Sequence, residues 1–510
     1  MKRQTSVLTS TSLVTALVAS VILTGLGGAA LTASADDGND RTRATNVIYL
    51  LGDGMGRTHV TAARERYYGA AGKLAMETLP AQGFVSTYAV EKLSGQPGAA
   101  DFKPNPVTDS ASAATAWSSG VKTYNAALGV DAKGAVVPTM MELAKKAGYR
   151  TGNVSTAEIT DATPAGQMSH ALARGCQGPV YSDAACQDLS ITGAALPTSD
   201  VRVTPIADQI ARNGTADVIL GGGLSRFDAA DETALKGQGY SVLGSIAGQS
   251  TATKADLASA SGAKVFGLFN KGNLTVEKTK QDNPSSVQAQ EPTLSEMASK
   301  AIDLLQKGKS NGNKDDRSGK GGKGFYLQIE GALIDKRSHA NDAAQTLGEM
   351  KAFDDAVAVV KDFAKRDGNT LVIVTADHEC AGFNIIEKGT FTNAEAGTPP
   401  ANVDSGNTAN NSTPTRPSNS KDAARSTGIV NGAGAADPKN FGPATFRTPT
   451  DAAGVVDGSP DAGLWLTYLS GNHTGADVPV FATGPGSEQL QGTVDNTALF
   501  GIVGRALRVV

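Results

Sequence analysis

The chain predicts an α/β fold built on a large, mostly parallel sheet. Three observations carry this. Apolar, β-branched runs recur, and each ends in glycine or a polar cluster. The runs are apolar throughout rather than alternating, as strands buried on both faces must be. Helix-like stretches separate them, which is the pattern of strand–helix–strand crossovers.

In order, the strand-like runs are NVIYLLG (46–52), TGNVST (151–156), ADVILGGG (216–223), KVFGLFN (264–270), GFYLQIEG (324–331), NTLVIVTADH (369–378) and VPVFATG (478–484). The helix-like stretches include TMMELAKKAG (139–148), LSEMASKAIDLLQKG (294–308) and TLGEMKAFDDAVAVVKDFAKRDG (346–368). The last repeats its apolar residues near period 3.6 and stops at Gly368. GRTHVTAARERYYG predicts a partly exposed helix carrying His59, and MSHALAR predicts a packed His170. Two segments break the pattern. KGKSNGNKDDRSGKGGK (307–323) and the Pro-, Asn-, Ser- and Gly-rich stretch 388–458 read as irregular surface insertions.

The first 35 residues read as a signal peptide: Lys2 and Arg3 precede an apolar run, and Ala33–Ala35 offers small residues for cleavage. Removal after Ala35 would leave residues 36–510 as one domain. A transmembrane anchor is the rival reading, weakened by Gly25, Gly27 and Gly28. Export makes disulfides possible. Cys176 and Cys186 stand ten positions apart, and closing so short a loop would contribute roughly 2–3 kcal/mol. Cys380 is left as a buried, inert thiol. A formal net charge of −4 provides no global basic field for nucleic acid or an anionic membrane.

Ligands of open α/β sheets bind beyond the carboxyl ends of the strands. There the sequence places Asp53, Asp161, Thr163, Glu330, Asp335, Lys336, His339, the adjacent Asp377 and His378, and His473. Zinc takes imidazole and carboxylate donors, and magnesium prefers an all-oxygen shell. Three histidines, five carboxylates and one threonine hydroxyl could supply two zinc sites and one magnesium site. Asp335 and His339, four apart, share a face of any helix there. The chain has five histidines, so finding three at such positions argues against accident. Ser110 follows Asp109 and opens a run of small residues that reads as the first turns of a helix, yet no histidine lies near it in sequence to take its proton. A metal-lowered pKa answers that difficulty.

Together LGDGMG, VTDSASAATAWSSGVKTYNAALGV, GNVSTAEITDATPAG, IEGALIDKRSHAND, VTADHE and GNHTG resemble the bacterial alkaline phosphatase family, in the same chain order. The similarity runs from about Asn46 to Val510, outside the two irregular segments. The resemblance implies a three-layer α/β/α sandwich and one catalytic domain that hydrolyses phosphate monoesters through a phosphoserine at Ser110. It implies that Asp335, His339 and His473 hold one zinc, and Asp53, Asp377 and His378 a second. Asp161, Thr163 and Glu330 would hold magnesium, bridged by Asp53. Arg174 would clamp the phosphate, oriented by Asp109, and Asp161 with Lys336 matches the magnesium-using variant. A Cys176–Cys186 disulfide, a homodimer and a secreted or periplasmic location are implied as well, with neither a nucleic-acid partner nor a membrane anchor. Glu379 and Cys380 are not family ligands, and the stretch before His473 has no close counterpart. A phosphodiesterase or sulfatase on the same core is the alternative, and a secreted metal- or phosphate-binding protein without turnover is the non-enzymatic one.

Overall fold

The computed structural model describes residues 42–307, 323–389 and 444–510. Its main sheet has ten strands: β1 (Asn46–Gly52), β2 (Ala81–Ser86), β3 (Arg150–Glu158), β4 (Val218–Gly222), β5 (Ser241–Leu243), β6 (Val265–Leu268), β7 (Phe325–Gly331), β8 (Thr370–Thr375), β9 (Val478–Thr483) and β10 (Gly492–Asp495). They lie in the order β10-β2-β9-β8-β1-β7-β3-β4-β6-β5. β9 runs antiparallel to both its neighbours, and every other pairing is parallel.

All seven expected runs form strands, with ends displaced by up to three residues. β1, β7 and β8 are buried along their whole length, as their unbroken apolar sequences require. Helix Ala343–Asp367 packs against helix Leu294–Lys307 and the sheet through Leu347, Met350, Phe353, Val357 and Val360. Register then decides where chemistry can occur. Leu51 of β1 lies opposite Glu330 of β7 and Thr375 of β8, and Ser155 of β3 lies opposite Glu330. Four parallel strands therefore end on one edge, and the residues just beyond them converge.

Two expectations are corrected. His59, expected on a partly exposed helix, is 0% exposed on helix Arg57–Tyr68. The stretch 388–458 is not irregular to its end. Residues 390–443 lie outside the described residues, but Ala444–Phe446 forms a strand against Leu464–Thr467, which also pairs with Asn384–Ile386. Arg66 then ties Asp457 down with two bonds of 2.7 and 2.6 Å. A three-residue strand is too short for its periodicity to show in sequence.

The proposed leader (1–35) and residues 308–322 of the first insertion lie outside the described residues. Cys176 and Cys186 are bonded within a satellite cluster that includes Tyr124, Leu172 and Val203. Cys380 is free and buried. Among the described residues, no helix is long and apolar enough to cross a membrane.

Candidate metal centre

Two groups of donors gather at the sheet edge. In the first, Asp53, Asp377 and His378 each offer an atom within 4.8 Å of the other two. Asp53 leaves β1 at the turn Gly52–Gly56, and the Gly54 N–H donates to Asp377 Oδ1 at 3.0 Å. Gly54 has φ +70°, and a Cβ there would lie 2.9 Å from Asp335 Oδ1 and 2.8 Å from the Cys380 Cβ. Only glycine lets the backbone pass so close to these donors. His378 Nε2 stands 3.0 Å from Asp377 Oδ2, 3.7 Å from Asp53 Oδ1 and 3.2 Å from Ser110 Oγ.

The second group is Asp335, His339, Cys380 and His473. Helix Leu333–His339 puts Asp335 and His339 on one face, with His339 Nε2 3.1 Å from Asp335 Oδ2. His473 arrives on strand His473–Thr474, paired with Glu379–Cys380, and its Nε2 is 3.5 Å from Asp335 Oδ1. His339 Nδ1 faces the Gly471 carbonyl at 2.6 Å, and His473 Nδ1 faces the Thr108 carbonyl at 3.0 Å. A carbonyl can only accept, so each Nδ1 carries a proton and each ring turns its Nε2 inward. Those two Nε2 atoms meet at 3.2 Å. Cys380 Sγ donates to the Asp335 carbonyl at 3.7 Å.

Acceptors outnumber donors throughout. Asp53 Oδ1, Asp335 Oδ1, Asp377 Oδ2 and Thr163 Oγ1 are buried without a hydrogen-bond partner. Burial, then the charges of Asp377, Asp335 and Glu330, raise the Asp53 carboxyl far above the usual range. Burial and the Asp161 charge push Glu330 up to about 8, against a hydrogen bond from Ser155. Burial and the neighbouring His378 hold His473 down to about 4.

A third cluster is closed. The Arg174 guanidinium donates to Asp109 Oδ2 at 3.1 Å and to Asp161 Oδ1 at 2.7 Å, while Lys336 Nζ takes Asp161 Oδ2 at 2.7 Å. Burial opposes the Asp161 charge, but Lys336 and Arg174 outweigh it and hold the carboxyl far below the usual range. Ser110 lies between open and closed clusters, 4% exposed, as the first residue of helix Ser110–Ser119. Asp109 caps that helix by accepting the Ser112 N–H at 2.9 Å.

Of the residues singled out in sequence, Asp53, Ser110, Asp335, His339, Asp377, His378 and His473 meet at this edge, with Asp109, Asp161, Arg174 and Lys336 beside them, while Thr163 lies two residues beyond Asp161 on helix Ala162–Ala165. Asp161 joins neither donor group, because both its oxygens are bound to cationic side chains. Glu330 accepts from Ser155, which sequence reasoning missed. Glu379 was also passed over as a functional residue. It accepts the Gly382 and Phe383 N–H groups and the Thr474 hydroxyl, and so staples the His378 segment to the His473 strand. No periodicity reveals such a staple. His59 did leave a signal, since Ala62 and Ala63 share its helix face and its burial.

A family model described as alkaline phosphatase matches residues 44–509. The chain is 39% identical over 386 residues to the alkaline phosphatase of Escherichia coli K12, covering 70% of this chain and 74% of that one. It is 35% identical over 482 residues to the streptomycin-6-phosphate phosphatase of Streptomyces griseus, covering 91% and 90%. Among solved structures it resembles the alkaline phosphatase of the Antarctic bacterium TAB5, at 25% identity and a TM-score of 0.58 over 92% of this chain and 98% of that one. A variant of that enzyme was solved with magnesium bound in its M3 site, and is 26% identical with a TM-score of 0.58, over 92% and 99%.

Proposed function

We propose a residue-by-residue mechanism for this chain, which belongs to the alkaline phosphatase family and is a metal-dependent phosphomonoester hydrolase. The carrying observation is the convergence of the His339 and His473 Nε2 atoms, 3.2 Å apart, on the buried Asp335 carboxylate, whose Oδ1 has no hydrogen-bond partner. Two imidazole nitrogens and a carboxylate converging this closely are the donors that a single divalent cation takes. Nitrogens at tetrahedral zinc distances of 2.0–2.1 Å would stand roughly 3.3 Å apart. The donor set fits zinc.

On this reading Asp335, His339 and His473 hold one zinc, and Asp53, Asp377 and His378 the second. Asp53, Thr163 and Glu330 hold magnesium, for which the orphaned Thr163 hydroxyl is a fitting hard oxygen donor. Asp161, also expected to hold magnesium, has both its oxygens engaged by Lys336 and Arg174 and would serve that site by anchoring those two side chains. Such ions, when bound, stabilise an alkoxide and bring the pKa of a coordinated water from about 15.7 toward 7.

The protein's own groups do the rest. Ser110 Oγ gives up its proton to water and attacks phosphorus in line; the new P–O bond forms as the ester P–O bond breaks, and the leaving oxygen takes a proton from water to depart as the alcohol. Water then cleaves the phosphoserine and releases inorganic phosphate, restoring the hydroxyl. Arg174 holds two non-bridging oxygens as a bidentate fork, pre-aimed by Asp109 and Asp161. The N-terminus of helix Ser110–Ser119 points free N–H groups at the same anion. Positioning and charge suffice, because phosphoryl transfer asks for little else.

The Streptomyces relative is by name a monoester phosphatase, which favours the same class here. A side-by-side rate on p-nitrophenyl phosphate and its bis-ester separates this from the diesterase alternative, since faster diester turnover overturns it. Labelling with phosphate at acid pH should map to Ser110, and purified protein should carry two zinc ions and one magnesium ion. Unlabelled Ser110 in metal-replete protein would instead indicate a binding protein. The Cys176–Cys186 bond supports export after cleavage of residues 1–35, because such bonds persist in oxidising compartments. A homodimer is checked by sedimentation.

A further inference from the structure

We infer that His59 is a positioning residue, clamping together the three segments that carry the two donor groups and so fixing the separation of those groups. The inference rests on the metal reading above. His59 is fully buried and belongs to neither donor group. Its Nδ1 accepts the Gly56 N–H at 3.2 Å, at the end of the turn that bears Asp53. A neutral ring that accepts at Nδ1 keeps its proton on Nε2. That Nε2 lies 3.0 Å from Ser338 Oγ, and the hydroxyl passes its own proton to the Ile334 carbonyl at 2.9 Å. Ser338 adjoins His339 on the helix of Asp335.

The ring face supplies the third contact. It packs at a 30° tilt, centroids 4.5 Å apart, on Phe383, and the Phe383 N–H donates to Glu379, the residue after His378, at 3.0 Å. Phe383 in turn lies 4.9 Å from Tyr468, five residues before His473. Hydrogen bonds therefore run in one direction from the Asp53 turn to the Asp335 helix, and the ring braces the His378 segment. Burial holds the His59 ring down to about 3, so it stays neutral and keeps this tautomer while the enzyme works.

A core histidine without this role would affect folding stability alone. The test uses full-length protein loaded with Co²⁺, comparing wild type with His59→Phe, which keeps a ring against Phe383 and loses both hydrogen bonds. His59→Asn can retain the acceptor for Gly56, and His59→Gln can reach Ser338. In His59→Phe, cobalt release to a chelator should quicken about 10- to 100-fold, the usual cost of losing an outer-shell partner. Its visible d–d spectrum should change, and kcat should fall while KM holds. Asn and Gln should each recover part of the loss.

A folded His59→Phe with wild-type release and spectrum overturns the inference, whatever its melting temperature. If that variant does not fold, Asn and Gln decide: wild-type spectra and release in both overturn it equally. Wild-type protein that binds no cobalt overturns the metal reading and this inference with it. Wild type that binds cobalt beside indistinguishable variants overturns this inference alone.

Discussion

Ser110 stands between two kinds of polar construction. In the Asp109–Arg174–Asp161–Lys336 cluster each charge already faces its opposite, at 2.7–3.1 Å. In the Asp53/Asp377/His378 and Asp335/His339/His473 groups, buried oxygens and imidazole nitrogens face one another with too few protons among them. Burying unpartnered carboxylates costs several kcal/mol unless something offsets it. The closed cluster is complete in itself and can wait, aimed, for an anion. The open one is finished only by cations, so its folding and its ion affinity are one quantity. The contrast separates what aims the substrate from what activates the nucleophile, and each half can be broken alone.

The largest effect belongs to the residue between them. Ser110→Ala should cut kcat by about 10³-fold or more, since the covalent step has no substitute. Metal content by elemental analysis should stay intact, because Ser110 completes neither cluster. Loss of metal in this variant would show that the hydroxyl is part of the open group and spoil the division.

Chelation comes next. Removing ions should abolish turnover and lower the melting temperature, because saturating ligand at a thousand times its Kd contributes about 4 kcal/mol per site. Calorimetry of wild type with and without EDTA measures it, and returned zinc and magnesium should restore both quantities. An unchanged rate after chelation would mean the open groups are not metal sites.

Breaking the closed cluster should do less. Arg174→Ala removes the charge-assisted fork to phosphate, a net loss of about 1.5–3 kcal/mol once water takes its place. KM and product inhibition by phosphate should therefore shift about 10- to 100-fold, with a smaller fall in kcat. A kcat loss rivalling that of Ser110→Ala would show that the guanidinium activates rather than aims.

The same contrast explains what could be read from the sequence. β1, β7 and β8 announce themselves because both faces are buried, and the donors were found by looking just past them. β2 went unnoticed: Ala81–Ser86 contains Gln82 and Gly83, is buried only in part, and has no such run. The open groups were legible as residue types at strand ends, since a metal site is a chemical inventory. What completes them was not. His473 is oriented by the Thr108 carbonyl, 365 positions away, and no local pattern encodes that. The burial of His59 is hidden in sequence because Arg57, Arg64 and Arg66 make its helix look solvated, while its partners Ser338 and Phe383 come from distant segments.

The smallest effect is expected in a closed pair that stands apart from the centre. His170 Nε2 lies 3.0 Å from Glu142 Oε1, and its Nδ1 lies 2.8 Å from the Gly129 carbonyl. Both nitrogens face acceptors, so the protonated ring satisfies both. Burial opposes that charge, but Glu142 outweighs it and His170 is raised from its ordinary 6.5. Burial likewise opposes the Glu142 charge, and His170 outweighs it, holding Glu142 below its ordinary 4.5. The histidine contributes fully below pH 6.5 and fades as pH rises through its raised value, while the glutamate contributes fully above pH 4.5 and fades as pH falls through its lowered value. The pair is therefore strongest between those two ordinary values and loses its protonation-linked part in alkali. His170→Gln should cost about 1 kcal/mol at about pH 5.5 and less at about pH 9, by thermal unfolding at both. Its kcat should match wild type, because the pair neither aims substrate nor completes an ion site. A kcat loss comparable to that of Arg174→Ala would place His170 inside the closed machinery, and the boundary drawn around Asp109, Arg174, Asp161 and Lys336 would have to widen to include it.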